Sequence, residues 1–218
     1  IDGKQDLEHT LSWAQKVAQL NLSDPLVIVR STLPPGSSHI IGLSIKDGLE
    51  YKSVGNAHVH SVYFPEFISE GSVLTDSGRP YPFIVGVDSN EILEDLLRLF
   101  RETYGQDVSP TLVSVTAAEL SKYCINAFLG IRISFINEVS RLCDKMGGDI
   151  NEVRKALAVD KRIGSHYLTP GPGYGGTTFP KDIETLINTG EQVEAPQTIL
   201  ASAFNSNEFQ KKYLISRY

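Results

Sequence analysis

Hydrophobic positions along the first half of this chain alternate between a helical and an extended period, and along the second half they keep to the helical one. In "DLEHTLSWAQKVAQL", Leu7, Leu11, Ala14, Val17 and Ala18 recur at intervals of three and four, as on one face of an amphipathic helix. "PLVIVR" is a continuous β-branched run and predicts a strand covered on both faces. "STLPPGSS" interrupts it, and "SSHIIGLSIKDG" predicts a second helix, opened by a serine cap and closed near Gly48. "AHVHSVYF" and "YPFIVGV" read as strands, "SNEILEDLLRLFRETYG" as a helix that stops at Gly105, and "PTLVSV" as one more short strand. Such alternation predicts a mostly parallel sheet with helices on its faces.

After Val115 the extended period disappears. "TAAELSKYCINAFLGIRISFINEVSRLCDKMGG" predicts one helix of about thirty residues, far above the ~11-residue mean, opened by a Thr116/Glu119 capping box and closed at Gly147-Gly148. Asp149 with Glu152 caps the next, "INEVRKALA". A Gly/Pro-rich loop follows, then "PKDIETLINTG" and "PQTILASAFNSNEFQKKYLIS", the last with Pro196 near its first turn. The fold class is therefore α/β followed by all-α, a doubly wound sheet plus a helical domain built on one long helix.

Composition narrows the function classes. The 218 residues are 41% hydrophobic and 21% charged, with a net charge of −6. No apolar run approaches the ~20 residues of a membrane span, no leader pattern is present, and a cytoplasmic protein is expected. The absence of a clustered basic face argues against nucleic-acid binding. Cys124 and Cys143 lie 19 positions apart on the long helix, roughly 28 Å along its axis and out of disulfide reach, so both are expected to be free, buried thiols. His58 and His60 read as a solvated strand face, and no Cys/His set has metal-ligand spacing, so no metal is expected. The polar start of the sequence, without an initiator Met, suggests a piece of a longer chain.

Residues Gly171 to Gly176 of "TPGPGYGGTTFPKD" fit G-x-G-x-x-G. A dinucleotide loop needs an apolar strand before the first Gly and a helix opening at the last. "RIGSHYLTP" is no such strand, and Pro170 and Pro172 remove two backbone donors. The segment reads instead as a proline-stiffened loop that delivers Thr177, Thr178, Lys181 and Asp182 to a fixed place.

Five stretches, "STLPPGSS", "YFPEFISEGSVLTD", the long helix, "DKRIG" and "GPGYGGTTFPKD", occur in an order and spacing that resemble the UDP-glucose/GDP-mannose dehydrogenases. These enzymes oxidise the C6 alcohol of a nucleotide sugar to a carboxylate with two NAD⁺. The resemblance implies that residues 1–115 correspond to the second half of a Rossmann-like NAD-binding domain. It likewise implies that 116–218 form the central helical domain, 6-phosphogluconate-dehydrogenase-like, on which such enzymes dimerise. The family's own G-x-G-x-x-G unit and its C-terminal domain have no counterpart in the sequence, so the chain by itself is expected to bind NAD⁺ weakly or not at all.

Carried over by position, Thr32 matches a threonine beside nicotinamide and substrate, and Glu66 a glutamate in acid/base work. Phe67, Ile68, Ser69 and Glu70 match backbone that grips the sugar and diphosphate, Glu70 also on the cofactor side. Lys122 and Asn126 match a pair that stabilises oxyanions at C6. Arg162 resembles an arginine reaching into a partner subunit's site, Tyr167 and Gly175 fall among the substrate contacts, and Lys181 and Asp182 match a pair contacting cofactor and activating water. On spacing alone, Lys122 and Asn126 share a helix face that reads as solvated, and Glu66 and Glu70 as unassigned loop carboxylates. Cys124, about 160° away in projection, reads as core.

The sequence departs from the family at Thr178, where the resemblance places the cysteine whose thiolate captures the intermediate aldehyde. A thiol of pKa ~8.5 supplies thiolate near neutral pH, whereas an alkyl hydroxyl needs a strong, aligned base. Three readings follow: a nucleotide-sugar dehydrogenase stalled by its missing nucleophile, an enzyme performing only the alcohol-to-aldehyde step, or a non-catalytic dimeric scaffold. In each, a homodimer through the long helix is expected, with Phe135 on the interface.

Overall fold

The computed structural model describes residues 7–20, 22, 24–51, 58–67 and 81–216. Two compact units divide the chain, one running to Lys122 and the other beginning at Tyr123.

The first unit is a four-stranded sheet flanked by helices. Its elements are α1 (Glu8–Ala18), β1 (Leu26–Val29), α2 (Ser37–Tyr51), β2 (His60–Tyr63), β3 (Ile84–Val87), α3 (Leu93–Tyr104) and β4 (Thr111–Val113), and the start of α4 (Val115–Met146) belongs to it as well. The strand order is β1-β2-β3-β4. β1 and β2 run parallel, Leu26 opposite His60 and Val29 opposite Tyr63, and β3 runs parallel to β4. The expected parallel sheet holds at these two pairings and gives way at the centre, where β2 and β3 are antiparallel. Parallel neighbours need a long crossover: α2 supplies one between β1 and β2 and α3 the other between β3 and β4.

Alternation along β1 explains its uninterrupted apolar run. Val27 and Val29 enter one core with Ala14, Ala18, Ile41, Ile45 and Leu49 of α1 and α2. Leu26 and Ile28 pack on the opposite core, built from Val62, Phe64, Val85, Leu96 and Phe100. There the rings of Phe64, Phe83, Phe100 and Tyr104 meet at centroid distances of 5.1 to 6.2 Å, within the range of favourable aromatic pairs.

Two helix boundaries differ from the sequence reading. Gly48 does not close α2, which runs on to Tyr51. A Cβ at Gly48 would lie 2.7 Å from Cβ of Ala18, so this glycine lets α1 and α2 approach. Nor do Thr116 and Glu119 cap α4. Ser114 Oγ accepts from the Ala117 amide at 3.2 Å, and Asp88 from that of Val115 at 3.0 Å. Glu119, 1% exposed, turns away to accept from the amides of Gly36 at 2.6 Å and Ser38 at 2.9 Å, capping α2. A carboxylate reaching several free amides of another helix is the stronger acceptor for them.

The second unit is all helix: the rest of α4, then α5 (Ile150–Val159), α6 (Phe179–Gln192) and α7 (Thr198–Ile215). Asp149 caps α5 as its sequence predicts, accepting from Asn151 N at 2.8 Å. The core is Tyr123, Ala127, Tyr174, Ile183, Leu186 and Leu200.

Both cysteines are free. Cys143 is buried, but Cys124 is exposed, against the sequence reading. The α4 face that bears it is not covered by the described residues: Leu120, Cys124, Phe128, Phe135, Leu142 and Met146 are all exposed, and at 100° per residue they fall within an arc of about 80°. His60 pairs with Asp24 at 3.1 Å, and His58 lies outside the strand. No helix among the described residues is long and apolar enough to cross a membrane, and no group of three or more metal-ligating side chains occurs among them.

Candidate functional site

In the first unit the candidate residues gather at the C-terminal ends of the parallel strands β1 and β2, where open α/β sheets place their ligands. Thr32 follows β1 and is half-buried, and Glu66 follows β2 and is exposed. Glu66 Oε1 accepts from Arg30 at 3.2 Å, and the Arg30 guanidinium lies 4.7 Å above the Phe64 ring. Lys122, on the second turn of α4, is 6% exposed rather than solvated. Its ammonium donates to the Glu66 carbonyl oxygen at 2.5 Å and lies 4.7 Å over the Phe67 ring. The backbone after β2 is thus tied to α4 by a buried cation. Ile68, Ser69 and Glu70 lie outside the described residues.

In the second unit the central contact joins α4 to α6. Asn126 Nδ2 donates to Asp182 Oδ2 at 2.6 Å, with the two residues 8% and 2% exposed. Asp182 sits on the first turn of α6, where the helix field favours a negative charge. Thr178 stands at the start of that helix, and its carbonyl accepts from the Asp182 amide at 2.9 Å. Its side chain is exposed and makes no capping hydrogen bond. Lys181 is exposed on the same turn. α4 is one uninterrupted helix, so Lys122 and Asn126 lie one turn apart along it. Burial of an ammonium, a carboxamide and a carboxylate costs stability unless each is partnered.

The remaining candidates are dispersed. Arg162 projects into solvent, chelated by the Asp160 carboxylate at 2.6 to 3.2 Å, and the side-chain hydrogen bond from Arg162 draws the Asp160 carboxyl below its ordinary range. Tyr167 is left-handed at φ 59° and its ring lies 6.3 Å from that of Phe179. Gly175 is exposed.

No strand precedes the G-x-G-x-x-G segment; residues 160–178 are turns and irregular backbone between helices. Side chains that sequence reading did not single out hold it. Gly171 N donates to Asn137 Oδ1 and Gly171 O accepts from Gln210 Nε2, both at 2.8 Å. Asn207 takes both backbone groups of Tyr174, at 2.8 and 2.9 Å. Arg154 donates to the Leu168 carbonyl and to Thr169 Oγ1, each at 2.7 Å. The sequence does carry a signal for the α7 pair: Leu200, Ala203, Asn207 and Gln210 continue one buried stripe, with polar residues in its last two places. Tyr174 is 6% exposed, and burial pushes its phenol up to about 12, against the lowering effect of Ser134.

Residues 1–104 match the NAD binding domain of the UDP-glucose/GDP-mannose dehydrogenase family, and residues 116–209 match its central domain. The UDP-glucose 6-dehydrogenase of Rickettsia felis is 34% identical over 216 residues, covering 99% of this chain and 46% of the relative. That of Pseudomonas aeruginosa is 36% identical over 213 residues, covering 98% and 47%. The solved structure of a UDP-glucose dehydrogenase from Pyrobaculum islandicum superimposes with a TM-score of 0.85 at 32% identity, over 95% of this chain and 47% of that one. The chain spans about half the length of the curated relatives it matches. With both of its halves matched in order, the chain belongs to the UDP-glucose/GDP-mannose dehydrogenase family.

Proposed function

We propose that this chain carries acid–base and oxyanion-stabilising groups of an NAD-dependent nucleotide-sugar 6-dehydrogenase of the UDP-glucose type, and that Thr178 stops the reaction short of the carboxylate. The observation that carries this reading is the buried Asn126–Asp182 hydrogen bond of 2.6 Å on the turn that Thr178 opens.

The C6 hydroxyl must lose a proton and a hydride. A bound NAD would supply the hydride acceptor. Lys122 and Asn126, one turn apart on α4, stabilise negative charge on the C6 oxygen as its proton leaves, with Glu66 and Asp182 in proton transfer and water activation. Phe67, Ile68, Ser69, Glu70, Tyr167 and Gly175 contact the nucleotide sugar. At position 178 the second oxidation requires a nucleophile, and the threonine hydroxyl, far less acidic than a thiol, does not supply one without an aligned base.

The residues present fit only part of NAD. Thr32 and Lys181, with Glu70, would face it. The amides of Gly36 and Ser38 at the start of α2, where a diphosphate would sit on an open helix terminus, are already taken by Glu119.

A second reading, single oxidation to the aldehyde, is favoured by the same buried Lys122, Asn126 and Asp182, because that step needs no thiol. The homodimer reading draws support from the exposed apolar stripe of α4 and from Arg162, which projects as a residue destined for a partner's site would. Cytoplasmic placement is consistent with two unpaired cysteines.

The test is Thr178→Cys in the protein that carries this chain, following NADH production with UDP-glucose and with GDP-mannose. Four-electron oxidation that appears only in the cysteine variant is the expected result. No gain with either sugar would defeat the reading of position 178.

A further inference from the structure

The Gly/Pro loop has no ladder or helix to satisfy its backbone, and buried peptide groups must find partners elsewhere. At two of its residues both groups are met by side-chain carboxamides. Gly171 is held between Asn137 of α4 and Gln210 of α7, and Tyr174 is held at both N–H and C=O by Asn207 of α7. These three side chains are 0%, 5% and 0% exposed. A carboxamide presents a donor and an acceptor in one plane, as a peptide does, so it substitutes for a neighbouring strand.

The fit leaves little freedom. Gly173 has φ +96°, and a Cβ added there would strike Asn207 Oδ1. Arg141 donates to Gln210 Oε1, which fixes the Nε2 end of that amide toward Gly171. Tyr174, buried between the clamps and α6, packs edge-on to Phe179 at 6.0 Å. Four residues beyond Tyr174 the chain reaches Thr178 and enters α6.

We propose that Asn207 and Gln210, together with Asn137, are positioning residues that set where side chain 178 stands relative to the α6 N-terminus and Asp182. The proposal rests on the reading of position 178 as part of the site, and it adds to that reading the device that aims it. A purely structural role for these amides would stabilise the helical unit without controlling position 178.

Two measurements on the full chain separate the possibilities. The first is residue-resolved amide hydrogen exchange of the wild type, Asn207→Ala and the milder Gln210→Met. The amides of Gly171 and Tyr174, which donate to the clamp carboxamides, should exchange of order a hundredfold faster in the variants, with α4 amides near Ile136 unchanged. The second is the pH profile of alkylation of Thr178→Cys. A helix N-terminus lowers a thiol below the ordinary ~8.5, and adding Gln210→Met or Asn207→Ala should move the midpoint back toward that value. Unchanged loop exchange would overturn the proposal. So would a uniform acceleration across the whole helical unit, or faster loop exchange with an unmoved midpoint. Neither readout needs turnover, so a Thr178→Cys protein that gains no activity counts against the reading of position 178, whereas unchanged exchange or an unmoved midpoint counts against the clamp, and the two failures are told apart.

Discussion

At the scale of single residues, the helical unit carries a titratable group whose environment can be tested directly. Burial raises the Tyr174 phenol to about 12, against ~10 for an exposed tyrosine. The neutral form is the one the fold favours, so its contribution to stability is complete below about pH 10 and is lost as pH rises toward about 12. Thermal melts should therefore show the wild type losing up to about 2 kcal/mol over that window relative to Tyr174→Phe. Parallel pH profiles for the two proteins would mean that the phenol is not held away from water. Lys122 and Asn126 show where spacing misleads. Their four-residue interval describes a shared face, but lysine on a helix is ordinarily solvated, and nothing in the local pattern reveals that the backbone after β2 reaches across to cover it. Cys124 fails in the opposite sense, because an apolar position predicts burial without saying whether the covering surface lies in the same chain.

At the scale of elements, the helix N-termini are satisfied by tertiary contacts that sequence proximity does not disclose. Glu119 lies three residues after Thr116 and forms a capping box on paper, yet its carboxylate serves Gly36 and Ser38, 83 and 81 positions away. Glu119→Ala should cost about 2–3 kcal/mol in urea unfolding, the penalty of two amides losing a buried charged acceptor, and Glu119→Gln, which keeps one acceptor oxygen, should cost less. Equal stability of all three proteins would contradict the cap. Element order was legible throughout, because the strands are short β-branched or aromatic runs and the helices keep their period. The antiparallel centre of the sheet was not legible, since β2 and β3 carry the same apolar pattern in either direction. The same limit hid the loop clamps: Asn207 and Gln210 are polar residues on the buried stripe of α7, and the pattern does not identify the backbone they meet.

At the scale of the whole molecule, an exposed apolar stripe runs along α4 from Leu120 to Met146. A stripe of this length on a single helix face suits a second copy of α4, and Phe135 stands near its middle, half exposed. Phe135→Glu should convert a dimer to a monomer in sedimentation velocity, and an unchanged profile would count against association through this face. The family was legible from five stretches in register, and the proposed departure at Thr178 is read from one of them. What that departure does to the chemistry is the centre of the account. The most direct measurement is the ratio of NADH formed to nucleotide sugar consumed by the threonine protein under single-turnover conditions with UDP-glucose. The account predicts a ratio of at most about one, with an aldehyde and no carboxylate among the products, since only the first oxidation proceeds without a thiol. A ratio of about two, with the uronate as product, would show that position 178 is not where the second oxidation is decided.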